Sequence, residues 1–220
     1  MKFTYLGHSA FELKTSDSTI LIDPFLVCSP DYDYSNVTDI FVTHGHGDHL
    51  GNAIEISKKT NAQITAIFEL SNFCTAQGAN AKGVGLGAWL NFSFGRAIFL
   101  PAFHSSSSPN VQYAGCPAGI LFEIENTRIF HAGDTALNSE MKLLKEVYKP
   151  DIAILPIGGT YTMDIEQAVI AADWIGASTV IPMHYNTFDL IKADAEKFKT
   201  NVEALGIKCS ILKPSQRIEF

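Results

Sequence analysis

Three histidines and one aspartate fall within six residues of each other, directly after an apolar stretch typical of a strand. The segment is Thr43-His44-Gly45-His46-Gly47-Asp48-His49, and Ile40-Phe41-Val42 precedes it. Packing imidazoles and a carboxylate between glycines adds little to a hydrophobic core. A metal ion, in contrast, requires several nitrogen and oxygen ligands converging within roughly 2.0–2.2 Å. The segment therefore predicts a metal site and a fold that gathers ligands at a strand end.

The spacing divides these four side chains into two groups. Residues two apart in extended chain point to the same side, so we expect His44 and His46 to bind one ion together. Asp48 and His49 lie where the chain turns into a helix, project in another direction and suit a second ion. Two ions about 3.5–4 Å apart can polarise a scissile bond and deliver a hydroxide to it. The segment thus predicts a dinuclear hydrolytic site.

Strand-like and helix-like stretches alternate along the chain, without a linker rich in proline, glycine or serine. This pattern favours a layered α/β fold with outer helices and a single domain over residues 1–220. Gly45 and Gly47 are expected to let the backbone turn without a steric penalty from Cβ. Strands are expected over Lys2–Leu6, Ala10–Lys14, Thr19–Asp23, Asp39–Thr43, Ala97–Phe103 and Val180–Met183, and helices over Leu50–Lys59, Glu69–Gln77, Ser139–Tyr148, Asp164–Trp174 and Ala193–Leu205.

The charge balance bears on the partners of the protein. Lys and Arg number 16 against 23 Asp and Glu, for a net charge of −7. Such a surface repels the phosphate backbone and argues against nucleic acid as a partner. No uncharged apolar run approaches the roughly 20 residues that cross a bilayer, and the first residues lack the apolar region of a secretory signal. We therefore expect a cytoplasmic protein with no membrane partner, and the aromatic content leaves an oligomer open.

The order of these motifs resembles the metallo-β-lactamase superfamily, in particular its small metal-dependent hydrolases related to sugar-lactone lactonases. The resemblance implies a four-layer αββα sandwich. It also implies that His104 completes the first ion's ligands, that the Asp134 carboxylate bridges both ions and that His184 completes the second ion's ligands. Besides the histidine-rich segment, it rests on Leu6-Gly7-His8-Ser9-Ala10, Ile22-Asp23-Pro24, Leu155-Pro156-Ile157-Gly158-Gly159 and His184-Tyr185-Asn186.

Three further residues have two interpretations each. The resemblance places His8 near the site, where it can act in catalysis as a proton donor, although it also lies in a hairpin turn. Asp23 is either a turn carboxylate before proline or the acceptor that fixes the tautomer of a ligand imidazole. We favour the acceptor. His131 is either a hydrogen-bonded core histidine or an acid that protonates the leaving group.

These residues together predict a hydrolase in which a hydroxide bridging two divalent metals, oriented by Asp48, cleaves an ester, lactone or related bond. Positive charge at the ions within an acidic protein favours a small, anionic substrate. We expect Zn²⁺, while Mn²⁺, Ni²⁺ or Fe²⁺ suit the same ligands. The loops Ser105–Asn110, Asn80–Gly87 and Gly158–Met163 are expected to wall the pocket. The alternatives are a phosphodiesterase or nuclease on the same site, and a metal-binding module without turnover.

Overall fold

Two seven-stranded sheets pack face to face. The computed structural model describes residues 1–219, so Phe220 of the expected domain lies outside the described residues. The first sheet contains β1 (Lys2–Gly7), β2 (Ala10–Lys14), β3 (Thr19–Ile22), β4 (Asp39–Phe41), β5 (Gln63–Ile67) and β6 (Ala81–Val84), with β14 (Arg217–Glu219) beside β1. The second contains β7 (Leu90–Phe92), β8 (Gly95–Pro101), β9 (Ala118–Ile124), β10 (Thr127–His131), β11 (Ile152–Pro156), β12 (Thr179–Met183) and β13 (Lys208–Cys209).

Each sheet is antiparallel over one part and parallel over the other. Strands β3 to β6 run parallel in the first sheet, and strands β10 to β13 run parallel in the second. Parallel strands need crossover connections that return the chain to the same end. The carboxyl ends of these strands therefore line up at one edge of each sheet.

Helices cover the outer faces, which confirms the expected αββα layering. The helices are α1 (Gly47–Leu50), α2 (Ala53–Thr60), α3 (Phe68–Ala76), α4 (Met141–Leu143), α5 (Ile165–Ile175) and α6 (Ala195–Glu203), with a π-helical turn at Leu144–Tyr148 and 3₁₀ turns at Leu26–Cys28 and Asp189–Ile191. The single helix expected over Leu50–Lys59 is wrong, because the chain breaks at Gly51, where a Cβ atom would collide with Pro24 and Phe25. No helix of the described chain is long and apolar enough to cross a membrane.

Aromatic side chains fill the space between the sheets. Phe41 of the first sheet packs against Phe99 and Phe122 of the second, with ring centroids 6.2 and 4.9 Å apart. All three are fully buried, and burying such a side chain is worth about 1.5–3 kcal/mol. A second cluster, which includes Ile40 and Leu70, joins the first sheet to its helices. These two cores hold the strand ends in fixed positions.

Gly45 and Gly47 were expected to let the backbone turn without a steric penalty from Cβ. This expectation is wrong, because neither glycine has a positive φ. A Cβ atom on Gly45 would lie 2.7 Å from the Ser107 carbonyl oxygen and 2.8 Å from Ala114 Cβ. A Cβ atom on Gly47 would meet nothing within 4 Å. Gly45 is therefore required for close approach of the Ser107–Ala114 loop, and Gly47 is not required sterically.

Gly45→Ala and Gly47→Ala form a matched pair that tests this difference. We expect Gly45→Ala to lower the free energy of unfolding by about 1–3 kcal/mol, because the backbone of the neighbouring loop must shift. Gly47→Ala lies in the first turn of a helix and is expected to leave the stability within about 1 kcal/mol of wild type. Urea unfolding of both variants measures the difference. Equal stabilities would contradict the packing role of Gly45.

Candidate metal centre

The predicted site residues come together where strands of both sheets end. His8 follows β1, Asp23 follows β3, and the histidine-rich segment follows β4 and forms α1. From the second sheet, His104, Asp134 and His184 follow β8, β10 and β12. Open α/β sheets commonly bind small molecules in the same position, outside the carboxyl ends of their strands. The site therefore lies across the edge of the sandwich, with contributions from both sheets.

His44, His46 and His104 form a first cluster. His44 Nε2 lies 2.9 Å from His46 Nδ1, and His104 Nε2 lies 3.3 Å from the same nitrogen. A tetrahedral ion with bonds of roughly 2.0–2.1 Å separates its ligand nitrogens by roughly 3.3–3.4 Å. The three imidazoles thus have the spacing of ligands around one ion.

Asp48, His49 and His184 form a second cluster, and Asp134 lies between the two clusters. Asp134 Oδ1 is 3.1 Å from His49 Nε2, while Asp134 Oδ2 is 3.2 Å from His184 Nε2 and 3.5 Å from His104 Nε2. Asp48 Oδ2 is 3.5 Å from His184 Nε2. The Asp134 carboxylate therefore contacts histidines of both clusters.

Several buried atoms of the site lack aligned hydrogen bonds. Among the described residues, His49 Nε2, His184 Nε2 and Asp134 Oδ1 have no hydrogen-bond partner. His49 Nε2 lies 3.1 Å from Asp134 Oδ1, and His184 Nε2 lies 3.2 Å from the other oxygen of the same carboxylate. Buried polar atoms are almost always satisfied. Their convergence, together with a donor set of imidazoles and carboxylates, fits divalent cations such as Zn²⁺, Mn²⁺, Ni²⁺ or Fe²⁺.

Asp23 and Thr43 orient the imidazoles from behind. Asp23 is fully buried and accepts a hydrogen bond from His49 Nδ1 at 2.7 Å. It also accepts hydrogen bonds from the Thr43 backbone N–H and hydroxyl at 2.8 and 2.7 Å. Since the Thr43 hydroxyl proton goes to Asp23, the His44 Nδ1–H donates to Thr43 Oγ1 at 3.0 Å. Both rings are thereby held with Nε2 facing the site, and Thr43 is a contributor that the sequence reasoning missed.

The two clusters differ in their electrostatics. Burial lowers the pKa of all three histidines in the first cluster, so that they present the neutral form that binds metal. Burial also acts to lower the pKa of His49, but the carboxylates of Asp134 and Asp23 outweigh it and raise this pKa well above its usual value. Burial opposes ionisation of Asp134, yet His49 and His184 hold its pKa well below the usual range. The carboxylates around the second cluster are thus stabilised by neighbouring positive charge, which a bound cation would also supply.

His8 and His131 occupy different environments. His8 Nε2 lies 3.1 Å from Asp48 Oδ2, which places this ring beside the second cluster. His131 is fully buried, donates from Nε2 to the Ser9 carbonyl and accepts at Nδ1 from the Gly133 N–H. With both nitrogens used inside the core, the geometry of His131 favours its interpretation as a core histidine.

An open cleft with an empty volume of about 650 Å³ lies over both clusters. Ser105 and Tyr161 contribute to its wall from two of the three expected loops. The third expected wall, Asn80–Gly87, is wrong, because part of this segment forms β6 at the sheet edge and none of it lines the cleft. The lining residues are His46, Asp48, His104, Ser105, Asp134, Tyr161 and His184.

Asp23→Asn keeps the shape of the side chain and removes the negative charge of the carboxylate that accepts the hydrogen bond from His49 Nδ1. We expect metal affinity to fall about 10–100-fold, because partners that orient a ligand imidazole have effects of this size. Titration of metal-free protein with Co²⁺ measures the affinity. Asp33→Asn changes an exposed turn carboxylate and serves as the control. Wild-type affinity in Asp23→Asn would contradict the orienting role.

Comparison with known proteins places this chain in a family. Residues 2–184 match the beta-lactamase superfamily domain. The UPF0173 metal-dependent hydrolase of Bacillus cereus is 47% identical over 207 residues, which cover 90% of this chain and 91% of that protein. The structure of Igni18, a novel metallo hydrolase from the archaeon Ignicoccus hospitalis, is 36% identical, with a TM-score of 0.90 over 100% of this chain and 98% of that one. The chain therefore belongs to the metallo-β-lactamase superfamily, alongside these metal-dependent hydrolases.

Proposed function

We propose that this chain is a hydrolase that holds two divalent cations, with Zn²⁺ as the expected metal, and cleaves an ester, lactone or related bond in a small, anionic substrate. One observation carries the proposal: two clusters of ligand side chains share the Asp134 carboxylate beneath an open cleft. The relatives named metal-dependent hydrolases support the same reaction class.

The proposed roles follow from the positions of the side chains. The first cluster would hold one cation, the second cluster the other, and Asp134 both. Bound there, the cations would supply the Lewis acidity that polarises the scissile bond and lowers the pKa of water enough for hydroxide to form near neutral pH. Asp48 lines the cleft and is held by His8, so it can orient the attacking water. Neither His131 nor His8 lines the cleft, but His8 contacts Asp48, which does, whereas both ring nitrogens of His131 are hydrogen-bonded in the core. We therefore propose that the leaving group takes its proton from solvent or, by way of Asp48, from His8.

The cleft also bears on the alternatives. A metal-binding module without turnover would enclose its ions, whereas here the Asp48 side chain is 28% exposed and the His46 and His104 rings reach the cleft. Among the described residues that line it, none is a lysine or arginine. A long polyanion requires a track of such residues. We therefore favour a small substrate, drawn by the bound cations, over nucleic acid.

Metal analysis combined with a substrate screen tests the proposal. Purified protein is analysed for metal by mass spectrometry and assayed with generic lactones, esters and bis-p-nitrophenyl phosphate. We expect two equivalents of metal and turnover of a lactone or ester that is lost with a chelator and restored by Zn²⁺. Turnover of the phosphodiester alone would assign the phosphodiesterase alternative. Bound metal without any turnover would assign the binding module.

Asp134→Asn tests the shared carboxylate. We expect it to lower both metal content and kcat/KM, the latter by about 100-fold or more, because metal polarisation is worth several kcal/mol. Asp39→Asn makes the same change at the start of β4, at a half-buried carboxylate that accepts a hydrogen bond from the Thr38 hydroxyl. This variant is expected to have the metal content and kcat/KM of wild type. Full metal content and normal turnover in Asp134→Asn would refute the shared role.

A further inference from the structure

The surroundings of His8 carry one more inference, which rests on the proposed metal centre. The ring is almost fully buried and has a polar neighbour at each nitrogen. Nε2 lies 3.1 Å from Asp48 Oδ2, and Nδ1 lies 2.9 Å from the Thr187 hydroxyl oxygen. These contacts join residues from three distant parts of the chain in the order Thr187, His8, Asp48.

The direction of the two hydrogen bonds follows from the chemistry of the groups. An ionised carboxylate only accepts hydrogen bonds, so His8 Nε2 carries the proton that it donates to Asp48. A second ring proton is disfavoured, because the ring is buried with its centroid 4.2 Å from that of His184. Nδ1 is then an acceptor, and the Thr187 hydroxyl donates to it. A hydroxyl at this position thereby selects the tautomer that faces Asp48.

The segment around Thr187 is fastened at both ends. The Asn186 amide donates to the Ala193 carbonyl and accepts from the Ala193 N–H, at 3.1 and 2.9 Å. The Thr160 hydroxyl donates to the Leu190 carbonyl at 2.7 Å. These bonds close the segment 186–193 into a braced loop, so the Thr187 hydroxyl is positioned by bonds other than its own contact with His8.

We propose that Thr187 is a positioning residue, which acts through His8 to hold Asp48 in place beside His184 and thereby strengthens metal binding at the second cluster. Partners that orient a metal ligand typically change affinity 10–100-fold when removed. Since Thr187 acts through one further residue, we expect an effect near the lower end, about 10-fold.

Thr187→Val removes the hydroxyl at nearly constant shape, and Thr187→Ser retains it. Metal-free proteins are titrated with Co²⁺ and followed by visible absorption. We expect Thr187→Val to weaken the second equivalent about 10-fold while the first binds as in wild type. Thr187→Ser is expected to bind both equivalents normally. Thr200→Val makes the same change on α6, where the exposed hydroxyl donates to the Glu196 carbonyl of the same helix, and it is expected to behave as wild type.

Two further measurements separate positioning from loop structure. In a His8→Ala background, Thr187→Val is expected to have no additional effect, because residues acting through one another are non-additive. Long-range proton–nitrogen spectra of the metal-free protein report the His8 tautomer, and we expect Nε2–H in wild type and a changed Nδ1 signal in Thr187→Val.

Each contrary outcome has a defined meaning. Any of four results would overturn the inference alone: wild-type binding of both equivalents by Thr187→Val, failure of Thr187→Ser to restore binding, an equal loss in Thr200→Val, or an Nδ1–H tautomer in wild type. Wild-type protein that binds no Co²⁺ would instead overturn the proposed metal centre, and this inference with it.

Discussion

The structure depends on how buried carboxylates obtain compensating charge. Asp23 and Asp134 are almost completely enclosed, and His49 lies between them with one ring nitrogen near each. An uncompensated ion in such a position costs several kcal/mol. A positive charge on the His49 ring therefore stabilises both carboxylates. A divalent cation bound beside Asp134 would stabilise that carboxylate more strongly, because it carries more charge. The orientation of the surrounding imidazoles follows from this requirement.

The sequence revealed the local part of the site. His44, His46, Asp48 and His49 lie in one short segment after an apolar strand, so their chemistry is readable without knowing the fold. The more distant residues proposed as ligands could be assigned only through the order of motifs in a known superfamily. Thr43 and Thr187 were not identifiable, because each acts through hydrogen bonds to residues whose proximity is created by the fold. Of these two, only Thr43 could have been suspected from the sequence, because it directly precedes His44.

The same limit explains the errors in secondary structure. Helical periodicity located α3, α5 and α6 to within a few residues. It missed the break at Gly51, which is imposed by close packing against Pro24 and Phe25. Likewise, His49 and His131 are both fully buried, yet one contacts carboxylates and the other a backbone carbonyl. Residue type and local pattern cannot distinguish two such environments.

The division of the donor atoms between two sheets has a consequence for how the protein is assembled. The first sheet carries two of the three imidazoles of the first cluster, and the second sheet carries the third, His104. A nascent chain that has formed only the strands up to β6 presents an incomplete set of the proposed ligands. With the proposed ligands, tight binding of a cation would require both sheets to have docked, and a bound cation would then stabilise the contact between them.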